Sequence, residues 1–436
     1  MLKNTLKILG LGSALSLAAG PALAEVSPET AYVFNTFLFL VCGFLVMFMA
    51  AGFAMLESGM VRSKNVATIC LKNISLFSIA GLMYWLVGYN LMYGIEEGGY
   101  IGELFSVWSA DDSAIGGEAP DFSGGYAAGS DWYFQMVFCA TTASIVSGTI
   151  AERMKLWPFL IFTLFLTGFI YPIVGSWEWG TGWLDAMGFS DFAGSTLVHS
   201  TGGWAALAGA IILGARAGKY GPNGEVTPIP GSSMPLATLG TFVLWLGWFG
   251  FNGGSQLALG SGADAAAISN IFINTNMAAA AGVVAAMVAS NALYGKIDLT
   301  MALNGAIGGL VSITAEPLTP SIPAAAFIGA VGGVLVVLAV PFLDKMKIDD
   351  VVGAIPAHLV CGIWGTMIVP LTNGDASYGV QAIGVISVGI FTMIASGILW
   401  SILKATMGIR IEEDGELLGL DKSELGIEAY PEFSRT

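Results

Sequence analysis

Long apolar segments recur along this 436-residue chain. Eleven of them follow an N-terminal leader, and most are long enough for a helix to cross a membrane, which takes roughly 20 residues. Only 11% of the residues are charged, against roughly 25% in a soluble domain. The chain is therefore predicted to be an all-α polytopic membrane protein, and a soluble enzyme, a nucleic-acid-binding protein and a disordered scaffold are excluded. The segments are 31–56, 66–93, 132–150, 156–175, 195–214, 236–253, 266–293, 300–315, 323–342, 352–370 and 379–403.

Residues 1–24 have the pattern of a secretory signal peptide. Lys3 and Lys7 precede an apolar run that is too short to span a bilayer, and Ala22-Leu23-Ala24 forms a cleavage motif before Glu25. We expect cleavage, although an uncleaved first span is the alternative. A signal of this kind favours a bacterial inner (plasma) membrane protein whose N-terminus is periplasmic.

The distribution of charge predicts the orientation. With the N-terminus outside, every basic residue after the leader falls on or near the inner side, as the positive-inside rule requires. Lys72, about two turns into the second segment, is expected to snorkel to the inner surface. The long outer loop 94–131 is acidic. We therefore predict eleven helices with the N-terminus out and the C-terminus in. The other basic residues are Arg62, Lys64, Arg153, Lys155, Arg216, Lys219, Lys296, Lys345, Lys347, Lys404, Arg410, Lys422 and Arg435.

The only two histidines of the chain occur in the same pattern. Asp191 to Gly203 and Asp350 to Gly362 both read Asp-x7-His-x3-Gly, with His199 and His358 in the fifth and tenth segments. Because five is odd, two five-helix repeats have opposite orientations, here about 31–214 and 236–370, with an eleventh helix after them. Inverted repeats are typical of transporters whose site lies near mid-membrane. Intramembrane ionisable residues are usually functional, so we predict that both histidines line a transport site.

The rest of the predicted interior favours a small solute that is neutral while it crosses. Glu57 and Glu152 fall at inner ends of segments and Asp191 at an outer end, so no other acid is expected at mid-membrane. Two histidines without a nearby carboxylate make a poor metal site, and the chain has no phosphate-binding loop. No cofactor, metal or catalytic residue is predicted.

Five sequence stretches resemble the ammonium transporter (Amt/Mep/Rh) family, and the resemblance extends over nearly the whole mature chain. They are AGFAMLESGMVRSKN (51–65), GTIAERMK (148–155), DFAGSTLVHSTGGWAALAGA (191–210), LGWFGFNGGS (246–255) and GAIPAHLVCGIWGT (353–366). The tail segment GLDKSELGIEAYPEF (419–433) is similar to the bacterial tail of that family. Two positions depart from it. Leu359 stands where many members have glycine, and SELG (423–426) where many have a His-Gly pair.

The resemblance implies a role for each matching residue. His199 and His358 correspond to the twin histidines of the pore, and Phe138 and Phe251 to the paired gate phenylalanines. The external recruitment site for ammonium corresponds to Phe134, Trp179 and Ser255. Asp191 corresponds to the acid that stabilises this site without contacting substrate.

The resemblance also implies the partners. Residues 25–403 would form the transmembrane domain of a homotrimer in the lipid bilayer, and residues 404–436 a cytoplasmic regulatory tail that docks a PII-type signal protein. The expected substrate is ammonium or ammonia, with methylammonium as an analogue. Ammonium would be deprotonated at the outer site, and ammonia would pass the histidines with or without a relayed proton.

Three alternatives remain open. An ammonium sensor or signalling scaffold with little flux would use the acidic tail 410–436 as its docking surface. A passive channel for water, urea or carbon dioxide would gain little from an aromatic cation site. A membrane-embedded enzyme is disfavoured because the sequence has no nucleophile–base pair.

Overall fold

The computed structural model describes residues 26–110 and 120–433. The predicted signal peptide 1–24 lies outside the described residues. In the described part, helices are the regular structure, and β pairing is limited to two isolated bridges, Met154 with Arg410 and Tyr220 with Val226. The prediction of an all-helical protein is confirmed.

Eleven helices, labelled in chain order, account for most of the described residues. Four of them are extended by π-helical turns: α2 by Tyr84–Gly88 and the short helix Tyr89–Tyr93, α4 by Leu166–Ile170 and Tyr171–Ser176, α5 by a preceding Ser195–Ser200 and α10 by a preceding Ile355–Val360. The helices are α1 (Pro28–Met60), α2 (Val66–Met83), α3 (Ala128–Thr149), α4 (Leu156–Phe165), α5 (Thr201–Leu213), α6 (Met234–Gly254), α7 (Gly262–Tyr294), α8 (Leu299–Thr314), α9 (Ile322–Lys345), α10 (Cys361–Ile368) and α11 (Tyr378–Thr406).

Eight of the helical stretches are long and apolar enough to cross a membrane. Two further apolar stretches, Leu299–Thr314 and Ile355–Leu371, are shorter. Helix α3 has 22 residues and is buried along almost its whole length. Each helix from α1 to α11 overlaps one predicted segment, which supports a multi-pass membrane protein.

Side chains next to the helix ends explain where several helices begin. The Ser27 hydroxyl accepts a hydrogen bond from the Thr30 N–H at 3.2 Å, and Pro28 occupies the first helical position of α1. Ser261 and Asp264 form a reciprocal capping box at the start of α7. Asp298 accepts from the N–H groups of Thr300 and Met301 at the start of α8. These caps satisfy backbone donors that the helix itself leaves free.

The helices divide into an interior group and a peripheral group. Almost all of α3 and α8 is buried, and most of α5. Helix α11 instead exposes an isoleucine at every fourth position: Ile386, Ile390, Ile394, Ile398 and Ile402. A continuous apolar stripe on the outside of a bundle suits contact with lipid. The interior of the bundle is formed instead by the buried helices α3, α5 and α8.

Lys72 does not reach the surface, so the expectation that it snorkels was wrong. Its side chain is 1% exposed, and its ammonium donates to the Ser147 carbonyl at 2.8 Å. The ammonium also lies over the Phe159 ring, 4.4 Å from its centroid. A carbonyl and an aromatic face from two neighbouring helices hold the cation inside the bundle, a contact that hydropathy along the chain does not reveal.

The tail after α11 is folded back on the bundle. The Asp421 carboxylate accepts from the N–H groups of Ala67 and Thr68 at 2.9 and 2.7 Å, at the start of α2. The Glu424 carboxylate accepts from the Leu156 N–H at 2.9 Å, at the start of α4. Acidic side chains at helix N-termini complement the free donors and the positive end of the helix dipole. The acidic tail is therefore anchored up to at least Glu424.

Candidate functional site

His199 and His358 meet in the middle of the bundle. Their Nδ1 atoms are 3.2 Å apart and their ring centroids 5.3 Å apart. Both side chains are buried, at 0% and 2% exposure. At this distance one Nδ1 donates and the other accepts, so the pair shares a hydrogen and each ring keeps its second nitrogen, Nε2, for other partners. The Nε2 of His199 has no hydrogen-bond partner in the described structure.

The same local backbone positions both histidines. In each repeat, an aspartate is followed three residues later by a glycine with positive φ, +105° at Gly194 and +79° at Gly353. A left-handed turn of this kind favours glycine. Each turn leads into a π-helical segment that contains the histidine, and π turns are frequent at functional sites.

The two histidine segments interlock. A Cβ added at Gly203 would lie 2.6 Å from the Leu359 Cβ, and one added at Gly362 would lie 2.5 Å from the Ser200 hydroxyl. In both cases, the residue after one histidine packs on the glycine four residues after the other histidine. The two histidine segments therefore pack against each other in antiparallel directions. Leu359, a departure from the family pattern, is a packing residue of this contact.

Aromatic rings continue the line of imidazoles on the His199 side. Trp248 stacks on His199 at 5.0 Å between centroids, and its indole N–H donates to the Thr314 hydroxyl at 2.8 Å. Phe251 lies 5.2 Å from His199 and stacks on Phe138 at 4.0 Å. The two phenylalanines predicted as a gate are thus in contact with each other and next to the histidine pair.

A cavity of about 560 Å³ lies beyond the two phenylalanines. Phe134, Trp179 and Ser255, the predicted recruitment residues, all line it together with Phe138. Phe138 lies 4.8 Å from Phe134 and 6.0 Å from Trp179, in both cases edge to face. Three rings and a hydroxyl therefore face a single space, as a site for a small cation requires.

Asp191 lies behind this cavity rather than in its lining. Its carboxylate is fully buried and accepts from the N–H groups of Gly194, Ser195, Thr196 and Leu197 at 2.7–3.1 Å. The Trp179 indole N–H donates to the Asp191 carbonyl at 3.1 Å. Asp191 therefore fixes both the turn before His199 and the position of a cavity ring.

Three acids that line this cavity, Glu178, Asp131 and Asp185, were not predicted from the sequence. Glu178 lines the cavity, and its Oε1 accepts from the Asp191 N–H at 2.7 Å, whereas its buried Oε2 has no partner in the described structure. Asp131 also lines it and accepts from the Tyr89 hydroxyl. Glu178 and Asp131 directly adjoin tryptophans in the chain, and this was the sequence signal that could have identified them. Carboxylates beside aromatic faces add to the attraction for a cation.

The space on the His358 side is much smaller. A cavity of about 10 Å³ is lined by His358, Phe53 and Glu57, among others. The Phe53 ring centroid is 6.2 Å from that of His358. Among the described residues, no group of three or more histidine, cysteine or acidic side chains could hold a metal ion. The arrangement is suited to binding a cation at one end and passing a small molecule along imidazoles.

Comparisons with known proteins identify the family. The model of the Ammonium Transporter Family matches residues 37–430. The ammonium transporter Amt2 of Archaeoglobus fulgidus is 40% identical over 426 residues, covering 90% of this chain and 87% of the relative.

Solved structures agree with this assignment. A structure described as a Sensor Amt Protein has 36% identity and a TM-score of 0.84, covering 92% of this chain and all of that one. Mep2 of Candida albicans has 27% identity and a TM-score of 0.78, covering 93% and 92% of the two chains. Members of the family are transporters and not enzymes. This chain belongs to the ammonium transporter family.

Proposed function

We propose that the protein conducts ammonia, taken from ammonium at the outer cavity, through a pore lined by His199 and His358. The observation that carries this is the unbroken series of the aromatic cavity, the stacked Phe138 and Phe251, and the histidine pair. An ion would lose more hydration energy in such a lining than the lining returns, so the solute crosses neutral.

Each part of the series has a chemical task. Phe134, Trp179 and the Ser255 hydroxyl hold ammonium by ring faces and a hydrogen bond. Deprotonation follows because the space beyond Phe138 and Phe251 is apolar. Neutral imidazoles donate and accept hydrogen bonds, so they can accompany ammonia and relay a proton. Asp191 keeps Trp179 and the His199 turn in place.

The test is uptake of labelled methylammonium by cells that lack other carriers. A His199→Ala, His358→Ala double variant is expected to reduce uptake to background, because the hydrogen-bonding lining is removed. Its amount and its elution from a size-exclusion column in detergent are compared with wild type, so that loss of fold is recognised. Uptake equal to wild type at equal amounts would rule out this pore.

We further propose eleven crossings with the N-terminus outside and the tail inside, in a homotrimer of the inner membrane. The acidic side chains that dock the tail onto α2 and α4 support a regulatory surface there, on which a PII-type protein would act. Reporter fusions at residues 26 and 433 test the orientation, and native mass spectrometry tests the trimer. If the reporter fused at residue 433 were active on the outer side of the membrane, the proposed orientation would be refuted.

An ammonium sensor with little flux is a second candidate, favoured by the likeness to a protein described as a Sensor Amt Protein. Both candidates need the outer cavity, but only transport needs the histidine pair. Proteoliposomes separate them: saturable methylammonium uptake supports transport, whereas binding without uptake supports the sensor.

A further inference from the structure

Glu57 is an acid inside the bundle that the proposed conduction does not use. It lies in α1 with 1% of its surface exposed. Its Oε2 accepts from the Ser147 hydroxyl at 2.8 Å, whereas its buried Oε1 has no hydrogen-bond partner in the described structure. A carboxylate accepts at both oxygens, so Oε1 can take a further donor. Ionisable groups are costly inside a membrane and usually functional.

Glu57 faces the same small cavity as His358. The other polar side chains of this cavity are Ser144 and Asn304, and Phe53 and Ile307 are among its apolar walls. Its volume of about 10 Å³ is close to the smallest space that holds a water molecule, which needs two to four polar partners. The space therefore suits a single water between an imidazole and a carboxylate.

The buried cation Lys72 is the charged neighbour of Glu57. Lys72 donates to the Ser147 carbonyl, while Glu57 accepts from the Ser147 hydroxyl, so one serine links the two. A purely structural ion pair would be expected to use both carboxylate oxygens, because buried charges need full hydrogen bonding.

We infer that Glu57 transfers protons at the inner end of the pore, between His358 and the ammonia that leaves. This inference rests on the proposed conduction past the histidine pair. A proton leaves a protonated His358 ring through one water, and an O–H bond forms on Glu57. Ammonia arriving at the inner end then takes this proton on its lone pair. Ammonium leaves, Glu57 is again a carboxylate, and no electron is gained or lost.

The experiment measures current and uptake in the same proteoliposomes after an ammonium pulse. Glu57→Gln removes the exchangeable proton and is expected to lower the current by roughly 100-fold, a typical contribution of a positioned acid–base group. Since this variant leaves Lys72 without a counter-charge, Glu57→Gln, Lys72→Met is tested beside it. The neutral pair is expected to restore the yield of folded protein while the current stays low.

Several outcomes would overturn the inference. They are wild-type current in either neutral variant, and methylammonium uptake without any current in the wild type. If neither neutral variant gives folded protein, Glu57→Asp decides. The Glu57→Asp current is expected to be smaller than that of wild type and to fall more when H₂O is replaced by D₂O. A current and a D₂O effect equal to those of wild type would contradict proton transfer by Glu57. Loss of uptake in the double histidine variant together with normal current in Glu57→Gln would reject this inference and keep the pore.

Discussion

The segments around His199 and His358 share a backbone and differ in their surroundings. Each has the aspartate, the left-handed glycine and the π turn, and each packs on the glycine of the other. The His199 side opens through stacked rings to a cavity of about 560 Å³, whereas the His358 side has a cavity of about 10 Å³. A duplicated scaffold thus positions two equivalent imidazoles, and the neighbouring residues form a large aromatic cavity at one end only.

The interlocked glycines are the part of the scaffold on which both halves depend most. Gly203→Val and Gly362→Val would each drive a side chain into backbone or Cβ atoms of the opposite segment. Overpacking of this kind costs roughly 1–3 kcal/mol or more, and here it also separates the histidines. We expect each variant to lose methylammonium uptake and most of its folded yield.

Gly397→Val is the matched control, since nothing lies within 4 Å of a Cβ at this glycine of α11. It is expected to behave like wild type in uptake and in size-exclusion profile. If Gly203→Val and Gly362→Val did the same, the two halves would not depend on close contact at these positions.

Asp191 and Asp350 offer a finer comparison, because their carboxylates accept different numbers of hydrogen bonds from the turns before the histidines. Asp191 Oδ2 accepts from two N–H groups, Thr196 and Leu197, whereas Asp350 Oδ2 accepts from one, Ile355. In an asparagine variant, an NH₂ group replaces one oxygen and leaves the facing donors unpaired. At roughly 1–3 kcal/mol for each buried donor, Asp191→Asn should cost about twice as much as Asp350→Asn.

Thermal unfolding in detergent checks this order, and uptake shows whether the loss reaches the pore. Asp191→Asn is also expected to reduce uptake more, because a shift of its turn would move the backbone carbonyl of residue 191, which accepts from the Trp179 indole. Equal losses of stability in the two variants would mean that the bond count does not control the turns.

The outer cavity is the feature that the His358 side lacks, and Glu178 tests what its acids contribute. Glu178→Gln keeps the shape but replaces a carboxyl group, whose Oε2 is unpartnered, by a neutral amide. A hydrogen bond to the charged methylammonium is worth roughly 1.5–3 kcal/mol, so half-maximal uptake should need roughly 10- to 100-fold more methylammonium. Asp185→Asn makes the same replacement at an exposed residue of the same cavity. It should change the methylammonium concentration for half-maximal uptake little. The same shift in both variants would indicate a general effect of charge.

The sequence was enough to predict the helical membrane fold, because a helix that crosses lipid needs a long apolar segment. The pairing of His199 with His358 was also predictable, since the spacing of Asp and Gly around each histidine repeats. Membership of the family followed from long motifs in family order, and the comparisons confirm it.

Contacts between helices could not be predicted in the same way. Glu57 was expected at the inner end of a segment and Lys72 was expected to snorkel to the inner surface, yet Ser147 of a third helix holds both inside the bundle. Glu178 joins the outer cavity only because the chain turns back beside Asp191. Hydropathy and spacing describe one helix at a time, whereas these positions depend on which helices are neighbours.

The residues before Asp191 and Asp350 differ in charge, so acid should weaken the contact of Asp349 and leave the contact of Ser190 unchanged. Ser190 is held by the neutral amide of Gln381, which accepts from its N–H at 3.0 Å and donates to its carbonyl at 2.7 Å. Asp349 instead accepts from the Arg216 guanidinium at 2.8 and 2.9 Å. Burial alone would raise the pKa of Asp349, but the hydrogen bonds from Arg216 and the charge of Arg153 outweigh it and hold the pKa below its usual value.

A carboxyl whose pKa is lowered by folding stabilises the protein fully above its unfolded pKa of about 3.9, and loses this contribution as the pH falls toward the folded value. The difference in thermal stability between wild type and Asp349→Asn should therefore be constant from neutral pH down to about pH 5 and narrow below that. The thermal stability of Gln381→Ala should differ from that of wild type by the same amount at every pH tested, because an amide does not titrate in this range. If the difference in thermal stability between wild type and Asp349→Asn also stayed constant with pH, the Arg216 contact would stabilise the protein no more than a neutral hydrogen bond does. The two halves would then differ in the cavities beside their histidines and not in how their turns are held.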